Sequence, residues 1–176
     1  MRDFFLRTER TGFSTWQEGD LQLARSLWGD AQVTRFISAS GVFSEQQIED
    51  RLKTEMENQR RFGVSYWPVF DCATQDFIGC CGLRPYRLEE KVYELGFHLR
   101  SRYWGMGLGT EIARAAIGYA FDALGASDLF AGHNPNNLNS AKVLTKLGFH
   151  YTHDEFYAPT GLNHPSYRYR VDALKP

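Results

Sequence analysis

The stretch Arg102-Tyr103-Trp104-Gly105-Met106-Gly107-Leu108-Gly109-Thr110-Glu111 decides how this chain is read. It joins a strand-like run, about 91–100, to a long helical pattern, about 108–124, that stops at Leu124-Gly125. Three glycines at alternate positions let the backbone approach a ligand closely and take conformations that other residues avoid. The helix that opens straight afterwards turns its unpaired N–H groups and positive dipole end on the same spot. Such a site favours a phosphate or pyrophosphate. Neither common phosphate loop matches. Gly109-Thr110-Glu111 lacks the Gly-Lys-Ser/Thr ending of a Walker loop, and the glycine spacing is not G-x-G-x-x-G. Taken alone, the stretch suits a glycine-rich turn with no ligand equally well.

Immediately upstream lies Lys91-Val92-Tyr93-Glu94-Leu95-Gly96-Phe97-His98-Leu99. Strand alternation puts Tyr93, Leu95, Phe97 and Leu99 on one face, and Val92, Glu94, Gly96 and His98 on the other. Gly96 in mid-strand points to a bulge or a close backbone approach. Glu94 is a lone carboxylate among apolar neighbours, either a reactive group or a solvated strand residue. Downstream, Asn137-Leu138-Asn139-Ser140 precedes Val143-Leu144-Thr145-Lys146-Leu147-Gly148-Phe149. An Asn and a Ser three apart at a helix start are, by themselves, first of all caps.

The rest of the chain fits around these segments. A first strand is expected at 10–16, then a helix from Glu18 to Gly29 with Leu21, Ala24, Leu27 and Trp28 on one face. Ser44 and Gln47 form a capping box for a helix over 44–62, with Ile48, Leu52 and Met56 aligned and Gly63 as its stop. Strands follow at about 64–71, 77–84 and 91–100. Pro68 in the first of them suggests a bulge or a strand end. After the 108–124 helix come a strand (129–132), a helix (137–147) and strands at 149–157 and 166–172. Helices between consecutive strands predict a mixed α/β sheet covered on both faces. No repeat or linker divides residues 1–176, so one domain is expected.

Composition excludes several function classes. A formal net charge of −1 over 176 residues offers no basic field for a nucleic-acid backbone. No run reaches the ~20 apolar residues that span a bilayer. The N-terminal MRDFFLRTER has no apolar signal-peptide core. Cys72, Cys80 and Cys81 fit neither a disulfide framework nor a metal site, so free thiols, no metal and a cytoplasmic setting are expected. Buried small hydrophobes describe Cys80 and Cys81 better than an acyl-cysteine route.

Together the three segments resemble the GNAT superfamily of acetyl-CoA-dependent N-acetyltransferases, and within it the branch of the ribosomal-protein N-terminal acetyltransferases. The family motif Q/R-x-x-G-x-G/A is matched by Arg102, Gly105 and Gly107. The branch form is matched by Trp104-Gly105 and Gly109-Thr110-Glu111, the Glu-aliphatic-Gly-aromatic strand by Glu94 to Phe97. The N-x-x-S and Leu-x-Lys-x-Gly-Phe patterns fall on Asn137, Ser140 and Leu144 to Phe149. Leu27-Trp28-Gly29-Asp30 and Val33 to Ile37 also look like this branch, so the likeness runs from about residue 8 onward. It implies an α/β (α+β) GNAT fold: a mixed, twisted six- or seven-stranded sheet with about four helices and two splayed strands.

The resemblance further implies acetyl-CoA as cosubstrate, held by Phe97, His98 and Leu99, by Arg102, by Gly105, Met106, Gly107, Leu108, Gly109 and Thr110, and by Asn137 and Ser140. Backbone of Phe97 to Leu99 would pair with the pantetheine arm, and amides from Gly105 to Thr110 would hold the pyrophosphate. Glu94 is then the expected general base for a primary amine, which is mostly protonated at neutral pH. Leu144 occupies the position where many members carry a Tyr acid, which leaves Ser140 as the nearest donor to the leaving sulfur. His98 and His133 are weaker acid or base candidates. The acceptor is either a protein N-terminus or a small-molecule amine, approached past Trp28, Phe36, Phe43, Tyr157 and His164. A non-catalytic acyl-CoA sensor is the alternative. Neither nucleic acid nor membrane is expected as a partner, and the chain is expected as a monomer or homodimer.

Overall fold

The computed structural model describes residues 2–170. Eight strands form one sheet: β1 (Leu6–Arg7), β2 (Thr11–Phe13), β3 (Tyr66–Asp71), β4 (Phe77–Arg87), β5 (Val92–Leu99), β6 (Asp128–Gly132), β7 (His150–Tyr157) and β8 (Leu162–Tyr169). The α-helices are α1 (Leu21–Trp28), α2 (Ala31–Thr34), α3 (Glu45–Phe62), α4 (Leu108–Asp122) and α5 (Leu138–Leu147). Sheet order is β1-β2-β3-β4-β5-β6-β8-β7. Every pairing is antiparallel except β5 with β6, which α4 connects.

This is a mixed α/β fold with eight strands and five helices in place of the expected six or seven and four. The expected first strand at 10–16 is in fact a hairpin, β1 and β2, because Thr8 turns the chain: its backbone N–H donates to the Thr11 carbonyl (2.8 Å). The extra helix, α2, is a single turn capped by Asp30, whose side chain accepts from the Gln32 N–H (2.9 Å). Too few apolar positions repeat in four residues for periodicity to mark it. β8 begins at Leu162, four residues before the expected strand start, while residues 171 and 172 of that expectation lie outside the described residues.

Two cores sandwich the sheet. On one face, Ile112, Ala113, Ala116 and Ala120 of α4 and Leu144 and Leu147 of α5 pack on Trp67, Val69, Leu83, Leu95 and Leu129. On the other, Ala24, Leu27 and Trp28 of α1 and Ile48 and Leu52 of α3 pack on Tyr66, Phe70, Phe77 and Cys80. Alternation along β5 works as expected: Tyr93, Leu95, Phe97 and Leu99 all join the α4/α5 core. Pro68 pairs with Cys80 inside β3, yet costs no ladder bond to β2. The β2 pairing ends at Phe13–Val69, and beside it Pro68 uses only its carbonyl, accepting from the Ser14 N–H (3.0 Å).

Candidate active site

The parallel pair β5–β6 is short. Val92, Tyr93 and Glu94 pair with Asp128, Leu129 and Phe130, and beyond Glu94 the two strands part. From Leu95 to Leu99 the β6-facing edge of β5 has no strand partner. Arg100 N–H bonds the Ile78 carbonyl across on β4 (3.0 Å). In an antiparallel ladder that pattern alternates, so the amides of Phe97 and Leu99 face the gap and those of His98 face β4. The Leu99 carbonyl already accepts from the Trp104 indole N–H (2.9 Å). Unpaired strand backbone of this kind is an edge to which another extended chain can add.

At the end of that edge stands the glycine turn. Gly105 (φ +76°) and Gly107 (φ +75°) both occupy the left-handed region. Gly107 caps α4 with no side-chain bond, which leaves the first amides of the helix unpaired. A Cβ at Gly105 would meet open space. The left-handed backbone, and not crowding, is therefore what requires glycine there. Around the helix start, Thr8, Arg10, Gly107, Thr110, Glu111, Arg114 and Lys146 line a cavity of about 550 Å³. Glu9 also lines it and Arg10 is paired with Glu111, so it is the free amides, with Arg114 and Lys146, that suit a polyanion there. Arg102 itself stays on the surface, bonded to the Tyr103 hydroxyl (2.6 Å).

Glu111 pins this turn to the β1–β2 hairpin. Its carboxylate accepts from Thr8 Oγ1 (2.5 Å), the Arg10 N–H (3.1 Å) and Arg10 Nε (2.7 Å), while Arg10 also donates to the Met106 carbonyl (3.0 Å). Burial pushes the Glu111 carboxyl up, but these bonds outweigh it and hold it below the usual carboxylate range. Nothing in the sequence pattern pointed to Arg10, whose partner lies 101 residues away.

Below the gap, Glu94 faces the α1/α3 side. Its Oε1 accepts from the Tyr66 hydroxyl (3.2 Å). Gly96 makes that contact possible, because a Cβ there would lie 2.2 Å from Cζ of the Tyr66 ring. Close approach, one of the two readings of a mid-strand glycine, is the observed one. Burial raises the proton affinity of Glu94 above the ordinary carboxylate, against the lowering effect of Arg84 and Tyr66. Burial keeps Tyr66 a phenol well past its usual range, so it retains the proton it donates to Glu94. Sequence reading missed Tyr66 and Arg84. A strand tyrosine looks like core, and only the β4–β5 register sets Arg84 opposite Glu94.

His98 accepts from the Trp28 indole N–H at Nδ1 (3.2 Å). Indole is only a donor, so that nitrogen is unprotonated and the ring neutral. Burial, with Arg51 and Arg84 nearby, drives its proton affinity well below the ordinary imidazole. Neutral and enclosed, it is poorly placed to take up a proton. Trp28 is fully buried, and Phe43 packs against the α1/α3 core. Of the expected acceptor aromatics, Tyr157 is exposed and its ring lies 4.7 Å from that of His164. Burial pushes the Cys80 thiol up to about 12 and Cys81 well above its ordinary value, so both stay protonated. Asn137 caps α5, accepting from the Ser140 N–H (3.2 Å), and the Ser140 hydroxyl bonds nothing among the described residues. His133 is buried, with Nδ1 2.8 Å from the Asn134 carbonyl and Nε2 3.3 Å from the Tyr167 hydroxyl. No metal-holding group of His, Cys, Asp or Glu occurs among the described residues, nor any helix long and apolar enough to cross a membrane.

The family model for the acetyltransferase (GNAT) domain matches residues 10–150. The chain belongs to the GNAT acetyltransferases. It is 32% identical to the uncharacterized protein YkkB of Bacillus subtilis (strain 168) over 127 residues, 72% of this chain and 73% of that one. Its fold is similar to that of a GNAT-family acetyltransferase from Bacillus anthracis, with a TM-score of 0.81, 21% identity and coverage of 95% and 98%. It is also similar in fold to RimL, a ribosomal L7/L12 alpha-N-protein acetyltransferase solved with coenzyme A, with a TM-score of 0.81, 12% identity and coverage of 97% and 99%. Within this GNAT chain, the gap beyond Glu94 and the glycine turn are thus parts of an acetyltransferase scaffold.

Proposed function

We propose that this GNAT chain transfers an acetyl group from acetyl-CoA to a primary amine, working as one catalytic unit in the cytoplasm. The observation that carries the reading is the parting of β5 and β6 beyond Glu94, with the uncapped start of α4 at its mouth. The unpaired amides of Phe97 and Leu99 would receive the extended pantetheine arm, and the amides from Gly105 to Thr110 its pyrophosphate. Bound there, the cosubstrate supplies a thioester. Glu94 then accepts the proton that an ammonium must lose before its nitrogen attacks, directly or through one water. Its raised proton affinity suits that task. Ser140, whose hydroxyl is uncommitted, donates toward the departing sulfur from the start of α5. The acceptor is either a protein N-terminus or a small-molecule amine.

Two measurements decide this. Calorimetry should show acetyl-CoA binding, and thiol release should follow with at least one member of a panel of N-terminal peptides and alkylamines. Binding with no turnover on any amine would support an acyl-CoA sensor. The Glu94→Gln variant should lose about a hundredfold in kcat/KM. Because burial raises Glu94, the wild-type acid limb should lie above the ordinary carboxylate value of about 4.3, and the variant should lack it. Ser140→Ala should lower kcat; full turnover would remove Ser140 from the leaving-group step.

A further inference from the structure

The most completely buried charge in the described chain is not Glu94 but Glu55, on α3, whose side chain has no exposed surface. It falls on the apolar stripe of its helix, after Ile48 and Leu52. Taking a carboxylate out of water is costly unless it is fully bonded. Glu55 is bonded on every side. Oε2 accepts from the Tyr66 backbone N–H (2.9 Å), and Oε1 from Arg51 Nε (3.2 Å) and from the Arg84 guanidinium.

Those partners are the ones that surround Glu94. Arg84 is the cross-strand neighbour of Glu94, and its guanidinium sits 4.1 Å from the Tyr66 ring centroid. The Tyr66 hydroxyl reaches Glu94. The groups facing Glu94 are therefore Arg51 and Glu55 from α3, Tyr66 from β3, Arg84 from β4 and neutral His98 from β5. Phe130 of β6 and Trp28 of α1 add no charge. With Glu94 ionised, two carboxylates balance two guanidiniums.

We propose that Glu55 is a positioning residue for acetyl transfer: by holding Arg84 and the Tyr66 backbone, it sets the charge and the phenol against which Glu94 works. The inference rests on the reading of Glu94 as general base. Removing the Glu55 charge leaves two cations unbalanced and favours ionised Glu94; removing Arg84 leaves a second carboxylate beside it and favours the protonated form. The two changes thus act in opposite directions, which general loosening of the fold would not produce.

The test is a titration of the full chain carrying ¹³Cδ-glutamate, with the Glu94 resonance assigned by its loss in Glu94→Gln. Its midpoint should fall by about one pH unit in Glu55→Gln and rise by a similar amount in Arg84→Met. Glu55→Asp should restore most of the wild-type value. The acid limb of kcat/KM, with whichever panel amine turns over, should move the same way. Unmoved midpoints, or shifts of one sign in both variants, overturn the proposal. If Glu55→Gln does not fold, Arg84→Met decides alone, since Arg51 and the Tyr66 amide still hold Glu55; a midpoint that fails to rise overturns it. Failure of the underlying reading shows separately, as full turnover and an unmoved acid limb in Glu94→Gln. That outcome removes the task Glu55 serves and overturns the proposal with it.

Discussion

At Gly96 the absence of one carbon organises the proton chemistry. The Tyr66 ring occupies the space a Cβ would fill and delivers its hydroxyl to Glu94. Gly96→Ala should therefore push the ring aside and break that bond. The expected destabilisation is about 1–3 kcal/mol, as for other overpacked sites, and a denaturant midpoint measures it. His98 shows the opposite logic on the same face. It has a titratable ring, but burial, with nearby arginines, keeps it neutral, so its chemistry is that of a buried acceptor for the Trp28 indole. Of this residue-scale arrangement, Glu94 and Gly96 were legible in the strand pattern. Tyr66 was not, because a single sequence cannot show which strand runs beside which.

Among the elements, α4 depends on a hairpin far from it in sequence. Its first turn has no side-chain cap, and Glu111 is spent on Thr8 and Arg10. An element held at its start in this way keeps its free amides in one place. Glu111→Ala should let the glycine turn drift, raising the KM for acetyl-CoA about tenfold with little change in kcat, as expected for one lost charge-assisted bond network. Steady-state kinetics at saturating amine would check it; an unchanged KM would detach the clamp from cosubstrate binding. The bounds of α3 and α5 were legible because caps and glycine stops are local signals: Ser44 with Gln47, Gly63, and Gly148 in the left-handed region; α4 ends at Asp122, two residues before the expected Leu124-Gly125 stop. Glu55 was legible in principle, since it continues the Ile48–Leu52 stripe, but a glutamate in a charged helix reads as solvated.

At the scale of the whole molecule, the sheet is continuous among the described residues except where β5 leaves β6. Every other neighbour pair is antiparallel, and the one parallel pair is abandoned after three residues on each strand. Such a sheet keeps an open strand edge between β5 and β6 that an extended ligand can complete. Acetyl-CoA should therefore stabilise the folded chain: at a hundredfold excess over its Kd, by about 2.7 kcal/mol, read as a raised Tm. A Tm indifferent to acetyl-CoA would count against the gap as its seat.

Local sequence by itself determined the order of the elements from α3 onward, the alternation that puts Glu94 and His98 on one face, and the glycine turn ahead of a long helix. Each follows from backbone sterics and side-chain period over a few residues, which need no distant partner. The tertiary structure decided where β5 and β6 part, that Arg10 clamps Glu111, and that Glu55, Tyr66 and Arg84 converge on Glu94. These depend on strand register and on contacts between residues 10 to 101 positions apart. Such contacts arise only when the sheet assembles, because burial makes the charges seek one another.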